Sequence, residues 1–269
     1  MSSPTIADAP IVDASTILFL IPVLNEAENL SRLCAALRAL STELAPTYRA
    51  RFFIIDDGST DGTGDAARDF SAGLDLTVLR HDNNQGPGRA FATGFTCLAP
   101  LLHSAEFVVT MEGDNTSRTE LLRMMLRRAA EGYDVVLASP YLYGGGIVHT
   151  TAWRVILSRV ANVFVKELLG LTGIATVSSF YRLYRVNVVR ELQRRYGPAI
   201  IERSGFECMI ELLLKMMYIH ATISEVPMTL DTSLRAGKSK LKILRTIVGY
   251  LGLWNDAGRW RRAAGADDR

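Results

Sequence analysis

Four times in succession this chain repeats one pattern: an apolar run of strand length, a loop crowded with polar turn formers, then a stretch with helical spacing. Few folds accept that order. Strands alternating with helices pack as a parallel sheet covered by helices on both faces. Such a sheet binds its ligands outside the carboxyl ends of its strands.

Thr16 to Val23 (T-I-L-F-L-I-P-V) is a continuous apolar run, suited to a central strand covered on both sides. Pro22 sits near its end, where a strand ladder can stop. Asn25 opens a helix with Leu30, Leu33, Cys34, Leu37 and Leu40 on one face and Glu26 and Glu28 in its first turn. A second strand, Arg51 to Ile55, runs into Asp56-Asp57-Gly-Ser-Thr-Asp61-Gly. A third, Leu74 to Leu79, precedes Gln85-Gly86-Pro87-Gly88-Arg89 and a helix carrying Phe91 and Phe95. The fourth, Phe107 to Met111, ends in Glu112-Gly113-Asp114, followed by a helix through Leu121 to Ala129 and a fifth strand, Asp134 to Ala138.

After Ser139 the pattern changes. Tyr141 to Val148 is glycine-rich and reads as a loop near the strand ends. Trp153 to Leu171 is an amphipathic helix: Arg154, Ser158, Arg159, Asn162 and Lys166 form one stripe, and Val155, Ile156, Val160, Val163 and Phe164 lie opposite. Such a helix most often turns its apolar stripe to the core. Helices near Asn187–Arg195 and Phe206–Tyr218 flank strand-like pieces at Ser179–Tyr184 and Thr222–Leu230. A basic loop with Arg235, Lys238 and Lys240 leads to a last helix, Leu241 to Trp254, in which Trp254 and the nearby Trp260 with Arg259, Arg261 and Arg262 suit a membrane interface, with packing against the sheet or a partner subunit as the equal alternative. The division read from this is a flexible N-terminus over 1–15, one α/β domain over 16–235, and the basic loop with an amphipathic helix over 236–269.

Composition narrows the partners. At 269 residues and 48% apolar the chain builds a sizeable core, and a formal charge of +2 gives no electrostatic case for nucleic acid. Cys34, Cys97 and Cys208 are odd in number and sit within apolar helical patterns, which reads as reduced core thiols in a cytoplasmic protein. The four histidines lack metal-type spacing. The first fifteen residues, without Lys or Arg, do not lead one to expect a secretory signal, and no apolar run reaches membrane-spanning length, so the expectation is a cytoplasmic protein, peripheral at most on the cytosolic face of the membrane.

In a parallel sheet the polar loops at Asn25/Glu26, Asp56/Asp57, Gln85–Arg89 and Glu112/Asp114 converge on one edge. Carboxylates with a hard divalent cation, together with Arg235, Lys238 and Lys240, are the equipment for holding a diphosphate. Two other phosphate binders fail on count. A dinucleotide fingerprint after Gly86 would need glycine where Phe91 stands, and a phosphate loop ending at Lys238 would need glycine where Thr232 stands.

The ordered set I-P-V-L-N-E, I-I-D-D-G-S-T-D-G-T, N-N-Q-G-P-G-R-A and acid-G-D-N-T-S resembles the inverting glycosyltransferases of family 2. S-F-Y-R-L-Y-R, G-F-E, E-V-P and R-A-G-K-S-K extend the likeness to the dolichyl- and polyprenyl-phosphate branch, over roughly Thr16 to Tyr250. The resemblance implies a GT-A fold, a nucleotide-diphosphate-sugar donor, a Mg²⁺ or Mn²⁺ ion and inversion at the anomeric carbon. It places Pro22, Asn25, Glu26, Asp56 and Asp57 around base and ribose, and brings Gly86 and Arg89 to the nucleotide. Glu112, Gly113 and Asp114 stand in for the family's D-x-D, with both acids on the metal. Arg235 and Lys240 reach the phosphates, while Arg182 and Glu207 join Asp114 near the reaction centre.

The chain departs from that branch in three places. Ser139-Pro140-Tyr141 replaces S-R-Y, leaving Arg154 and Arg159 to bind an acceptor phosphate. Thr176 stands where an acid precedes the S-F-Y-R strand, and Glu112 adds a methylene to the first metal ligand. A polyprenyl-phosphate acceptor is the leading expectation. A soluble hydroxyl acceptor, which would need Glu207 or Asp231 as base, and a non-catalytic nucleotide-sugar-binding or scaffold protein are the alternatives.

Overall fold

Ile17 to Ile21 have no exposed surface at all. In a computed structural model of the chain, which describes residues 15–234 and 243–265, they belong to β1 (Ser15–Val23) inside a seven-stranded sheet. The chain proceeds through α1 (Ala27–Leu44), β2 (Tyr48–Asp56), α2 (Thr63–Asp69), β3 (Leu76–Arg80), α3 (Pro87–Leu98), β4 (Ala105–Thr110), α4 (Leu122–Ala130) and β5 (Val135–Ser139). There follow β6 (Gly146–Val148), α5 (Ala152–Leu169), β7 (Arg182–Arg185), α6 (Val186–Tyr196), α7 (Cys208–Tyr218), β8 (Ile223–Pro227), β9 (Thr229–Asp231) and α8 (Ile243–Ala263). Sheet order is β3-β2-β1-β4-β7-β5-β8, and β6 pairs with β9 in a separate ribbon.

Side chains along β1 and β2 alternate between two layers, as strand geometry requires. Leu18, Leu20, Phe53 and Ile55 face α3, α6, α7 and α8, whereas Ile17, Phe19, Ile21, Phe52 and Ile54 face α1, α2 and α4. This is the doubly wound arrangement expected from the repeat. Cys34, Cys97 and Cys208 are free thiols on α1, α3 and α7.

Four details differ from the sequence reading. The strand expected from Leu74 begins at Leu76, because the Leu74 amide closes a turn on Ser71. β7 enters antiparallel between β4 and β5, with Arg182 opposite Thr110 and Arg185 opposite Phe107. The cause lies in the preceding segment, which returns along α5 without forming a helix. Asn162 holds it by donating to the Ala175 carbonyl and accepting from the Val177 amide, so the chain meets the sheet at the carboxyl end of β4. Asn162 also reverses α5: it is buried with Val165, while Trp153, Ile156, Leu157, Val160, Val163 and Phe164 are exposed. Lastly, α8 runs past Trp254 to Ala263, and Trp260 is a core residue with only Trp254 at the surface. The N-terminal segment and the basic loop with Arg235, Lys238 and Lys240 lie outside the described residues.

Candidate active site

The loops at the carboxyl ends of β1 to β4 are tied to one another by their own polar side chains. Asn25, at a left-handed φ of 48° that asparagine tolerates, takes its amide to Ser59 Oγ (2.8 Å) and accepts from Thr60 N (2.9 Å). The Glu26 amide donates to Thr63 Oγ1 (2.8 Å), and Asn29 donates to the Glu26 carboxylate. Asp61 accepts from the Ala27 amide (3.1 Å) and from Thr63; burial opposes its ionisation, but these hydrogen bonds hold its carboxyl below the usual range. Pro22 lies beyond Leu20, where the β1–β4 ladder ends.

Asp56 and Asp57, expected around the base and ribose, are buried and engaged by the protein. Asp56 Oδ1 accepts from Ser59 N (2.9 Å), and its other oxygen lies 3.5 Å from Arg80. Asp57 gathers the following loop: it accepts from Gln85 N (3.0 Å), Gly86 N (2.7 Å) and His81 Nδ1 (2.7 Å), with His81 passing on to Thr93 (2.9 Å). Both acids therefore shape the loops around them. Arg89 is exposed on the first turn of α3 beside an open pocket of about 460 Å³ shared with Gln85, Ala92, Thr93 and Thr96.

Gly86 and Gly88 have a reason that sequence did not reveal. A Cβ on Gly86 would stand 2.3 Å from Ser204 O, and one on Gly88 1.8 Å from Arg203 O. The Gly88 amide donates to Ser204 O (2.8 Å). These glycines seat α3 on the segment that leads to Glu207, which brings that residue to the same edge.

Glu112, Gly113 and Asp114 follow β4 as a closed turn. A Cβ at Gly113 would be 2.4 Å from Val23 Cγ1 and 3.2 Å from Pro22 O, so only glycine lets the two acids lie against the end of β1. Asp114 is 8% exposed, and its Oδ1 accepts from the Thr116 amide (3.1 Å) and hydroxyl (2.5 Å). Ser117 donates to the Glu112 carboxylate and accepts from the Glu112 amide (3.0 Å). Asn115, at φ 65°, reaches the Asn29 carbonyl (3.2 Å) on α1. Thr116 and Ser117 thus orient the acids; their signal was the run of turn formers after Asp114.

Two hard oxygen donors on a glycine-tightened turn fit Mg²⁺ or Mn²⁺ shared with phosphate. Among the described residues no three acids, histidines or cysteines form a closed metal cage, so the remaining coordination positions would fall to substrate and water.

Arg182 does not reach this edge. It is wholly buried and donates to the carbonyls of Ser179 (2.7 Å), Met209 (2.8 Å) and Val177 (2.9 Å); burial pushes its pKa down. That geometry corrects the expectation of a residue touching reactants: Arg182 fixes the backbone beneath the site. Glu207 stands immediately before α7, half-buried. Arg154 and Arg159 are exposed on α5. Nearby, Tyr141 bonds to Ser158 (2.5 Å); burial raises its phenol, partly opposed by Arg159. Where Thr176 replaces an acid, Glu225 supplies a carboxylate from β8 to the amides of Ala175 (2.6 Å) and Thr176 (2.8 Å).

Asp231 makes a poor base. Ser233, through its side chain and amide, and His149 hold its carboxyl down to about 2. Because its folded value lies below the unfolded one, its stabilising contribution is present above about pH 4 and is lost as pH falls through about 2. A ¹³C-detected titration should find Asp231 still ionised at pH 4; a midpoint near 4 would show that the His149–Asp231–Ser233 cluster is not formed in solution.

Residues 19–193 match the description "Glycosyl transferase family 2". The chain belongs to that family. This transferase is 29% identical to polyprenol monophosphomannose synthase of Mycolicibacterium smegmatis, over 92% of this chain and 90% of the relative. It is 28% identical to undecaprenyl-phosphate mannosyltransferase of Micrococcus luteus, over 91% and 96% of the two chains. The GT-A fold is shared with glucosyl-3-phosphoglycerate synthase from Mycobacterium tuberculosis, crystallised with Mn²⁺, UDP and phosphoglyceric acid (TM-score 0.61, 14% identity, covering 93% of this chain and 78% of that one). None of the described helices is long and apolar enough to cross a membrane.

Proposed function

We propose that this transferase moves a sugar from a nucleotide diphosphate to a polyprenyl phosphate at a membrane surface, with inversion at the anomeric carbon. Glu112 and Asp114 would hold Mg²⁺ or Mn²⁺, which neutralises charge on the departing diphosphate. Pro22, Asn25, Glu26 and Arg89 border the donor, with Asp56 and Asp57 acting through the loops they hold. Arg235 and Lys240 are assigned to the phosphates, and Arg154 and Arg159 to the acceptor phosphate. An oxygen of that phosphate attacks the anomeric carbon as the bond to the diphosphate oxygen breaks, and the nucleoside diphosphate leaves with the electron pair. The attacking phosphate is already anionic, so positioning suffices and no base is required.

The observation that carries the lipid acceptor is the exposed stripe of α5. Trp153, Ile156, Leu157, Val160, Val163 and Phe164 are 39–66% exposed, and Trp254 of α8 is 62% exposed. Burying each such side chain fully is worth about 1.5–3 kcal/mol, so water is an unfavourable environment for this stripe. An apolar helix face with tryptophan and arginine on one surface suits a lipid–water boundary. The two sequence relatives named above are, by name, a polyprenol monophosphomannose synthase and an undecaprenyl-phosphate mannosyltransferase, which agrees with that reading.

Flotation with anionic liposomes tests it. The wild type should float, and Val160→Asp or Phe164→Asp should weaken partition about tenfold or more, since 1.4 kcal/mol is tenfold. Wild-type protein that stays at the bottom at low salt would remove the lipid acceptor and favour a soluble hydroxyl acceptor.

A further inference from the structure

We infer that Gly249 of α8 is a positioning residue for Glu207, resting on the reading of Glu207 as part of the reaction centre. Glu207 reaches that centre through two contacts of its own segment. Phe206 stacks on Phe180 at 5.7 Å, and the Phe180 carbonyl accepts from Thr110 Oγ1 (2.6 Å), two residues before Glu112. Arg203 and Ser204 meanwhile abut Gly88 and Gly86. No described residue donates a hydrogen bond to the Glu207 carboxylate or pairs with it.

Space, not bonding, fixes where that carboxylate points. A Cβ on Gly205 would lie 2.3 Å from Glu207 Oε2, which walls it on the side of its own loop. A Cβ on Gly249 would lie 2.9 Å from Cδ, 3.0 Å from Oε2 and 3.3 Å from Cγ, which walls it on the side of α8. Glycine within a helix is disfavoured against alanine, so position 249 gives up helix stability to leave this room. Nor can α8 back away. Arg203 donates to Gly252 O (2.7 Å) and pairs with Asp256, while Glu202 pairs with Arg259 (2.8 Å) and accepts from Trp260.

A methyl group at 249 therefore meets the far end of a flexible side chain. The fold accommodates it by turning the carboxylate, which loses its setting. An ionised carboxylate only accepts hydrogen bonds and repels phosphate, so on a nucleotide-sugar it pairs with O–H and N–H donors. With base and ribose assigned to the β1 and β2 loops, we assign Glu207 to the hydroxyls of the transferred sugar. Displacing it should slow transfer and leave nucleotide binding intact.

The test compares Gly249→Ala, Glu207→Gln, the double variant, and Gly258→Ala, a second α8 glycine whose added Cβ would meet only Arg262 at 3.7 Å. Full-length proteins are assayed for sugar transfer from GDP- and UDP-linked donors to a polyprenyl phosphate, for UDP and GDP affinity with Mn²⁺, and for Tm. Gly249→Ala should lower kcat by about tenfold to a hundredfold, with nucleotide affinity within about twofold, Tm unchanged or raised, and Gly258→Ala like wild type. In the Glu207→Gln background the added alanine should cost nothing further, as expected when one residue acts through the other. Wild-type kcat for Gly249→Ala, or a full multiplicative loss in the double variant, overturns the positioning role. Wild-type kcat for Glu207→Gln would instead overturn the assignment of Glu207, and the inference with it.

Discussion

Replacing Asp114 with alanine should abolish sugar transfer, lowering kcat by about 10³-fold or more, the scale of losing a preorganised charge contact in a closed site. Asp114 is 8% exposed on the turn after β4, and its Oδ1 is already bound by the Thr116 amide and hydroxyl. Alanine removes the assigned metal ligand and the turn's internal cap together. Asp114→Asn separates the two, because the amide oxygen can still accept from Thr116 but no longer brings a negative charge to a cation. Both variants should lose transfer and Mn²⁺-dependent nucleotide binding, with only the alanine variant losing stability, by about 1 kcal/mol. Full activity in Asp114→Asn would move the metal elsewhere.

Glu211→Ala should be the most destabilising of the single substitutions considered, costing about 3–5 kcal/mol. Glu211 and Lys215 are fully buried on α7, 2.5 Å apart. Glu211 also accepts from the amides of Glu202 and Arg203 (2.8 Å each), while Lys215 donates to Ala199 O (2.6 Å) and stands over Tyr196 (4.9 Å) and Trp260 (4.8 Å). Removing the carboxylate strands two amides and a buried ammonium. Burial already pushes the Lys215 pKa down and Glu211 is its principal support. A lysine with a depressed folded pKa costs stability below its unfolded value, so that part of the loss should shrink as pH rises toward about 10.4. For a domain of this size Tm should fall by roughly 10 °C, and Glu211→Leu with Lys215→Met should recover most of it. A single variant within a degree or two of wild type would mean the pair does not hold the 202–204 segment in place.

The parts of this account that sequence made legible are local ones. β1 and β4 are apolar runs that end in turn chemistry, so their strands and the Glu112–Asp114 turn could be read directly. Periodicity gave α5 its two faces but not which one meets the protein. That choice rests on Asn162 and its hold on the chain at Ala175 and Val177. β7 was legible as the strand-like piece at Ser179–Tyr184, but its direction was not, because that is set by where the chain re-enters the sheet. Gly86, which the resemblance brings to the nucleotide, and Gly88 also abut backbone more than a hundred residues further on, which no local pattern announces. Separation in sequence, though shorter, also hid the meeting of Glu207 with Gly249.

The most direct test of the central claim is transfer of radiolabelled sugar from a panel of GDP- and UDP-linked donors to a polyprenyl phosphate in liposomes, with Mn²⁺ or with a chelator. Label should enter the lipid fraction with at least one donor, fall to background with the chelator, and be absent for Asp114→Asn. Label that reaches only a soluble hydroxyl acceptor, or lipid labelling indifferent to the chelator, would contradict it.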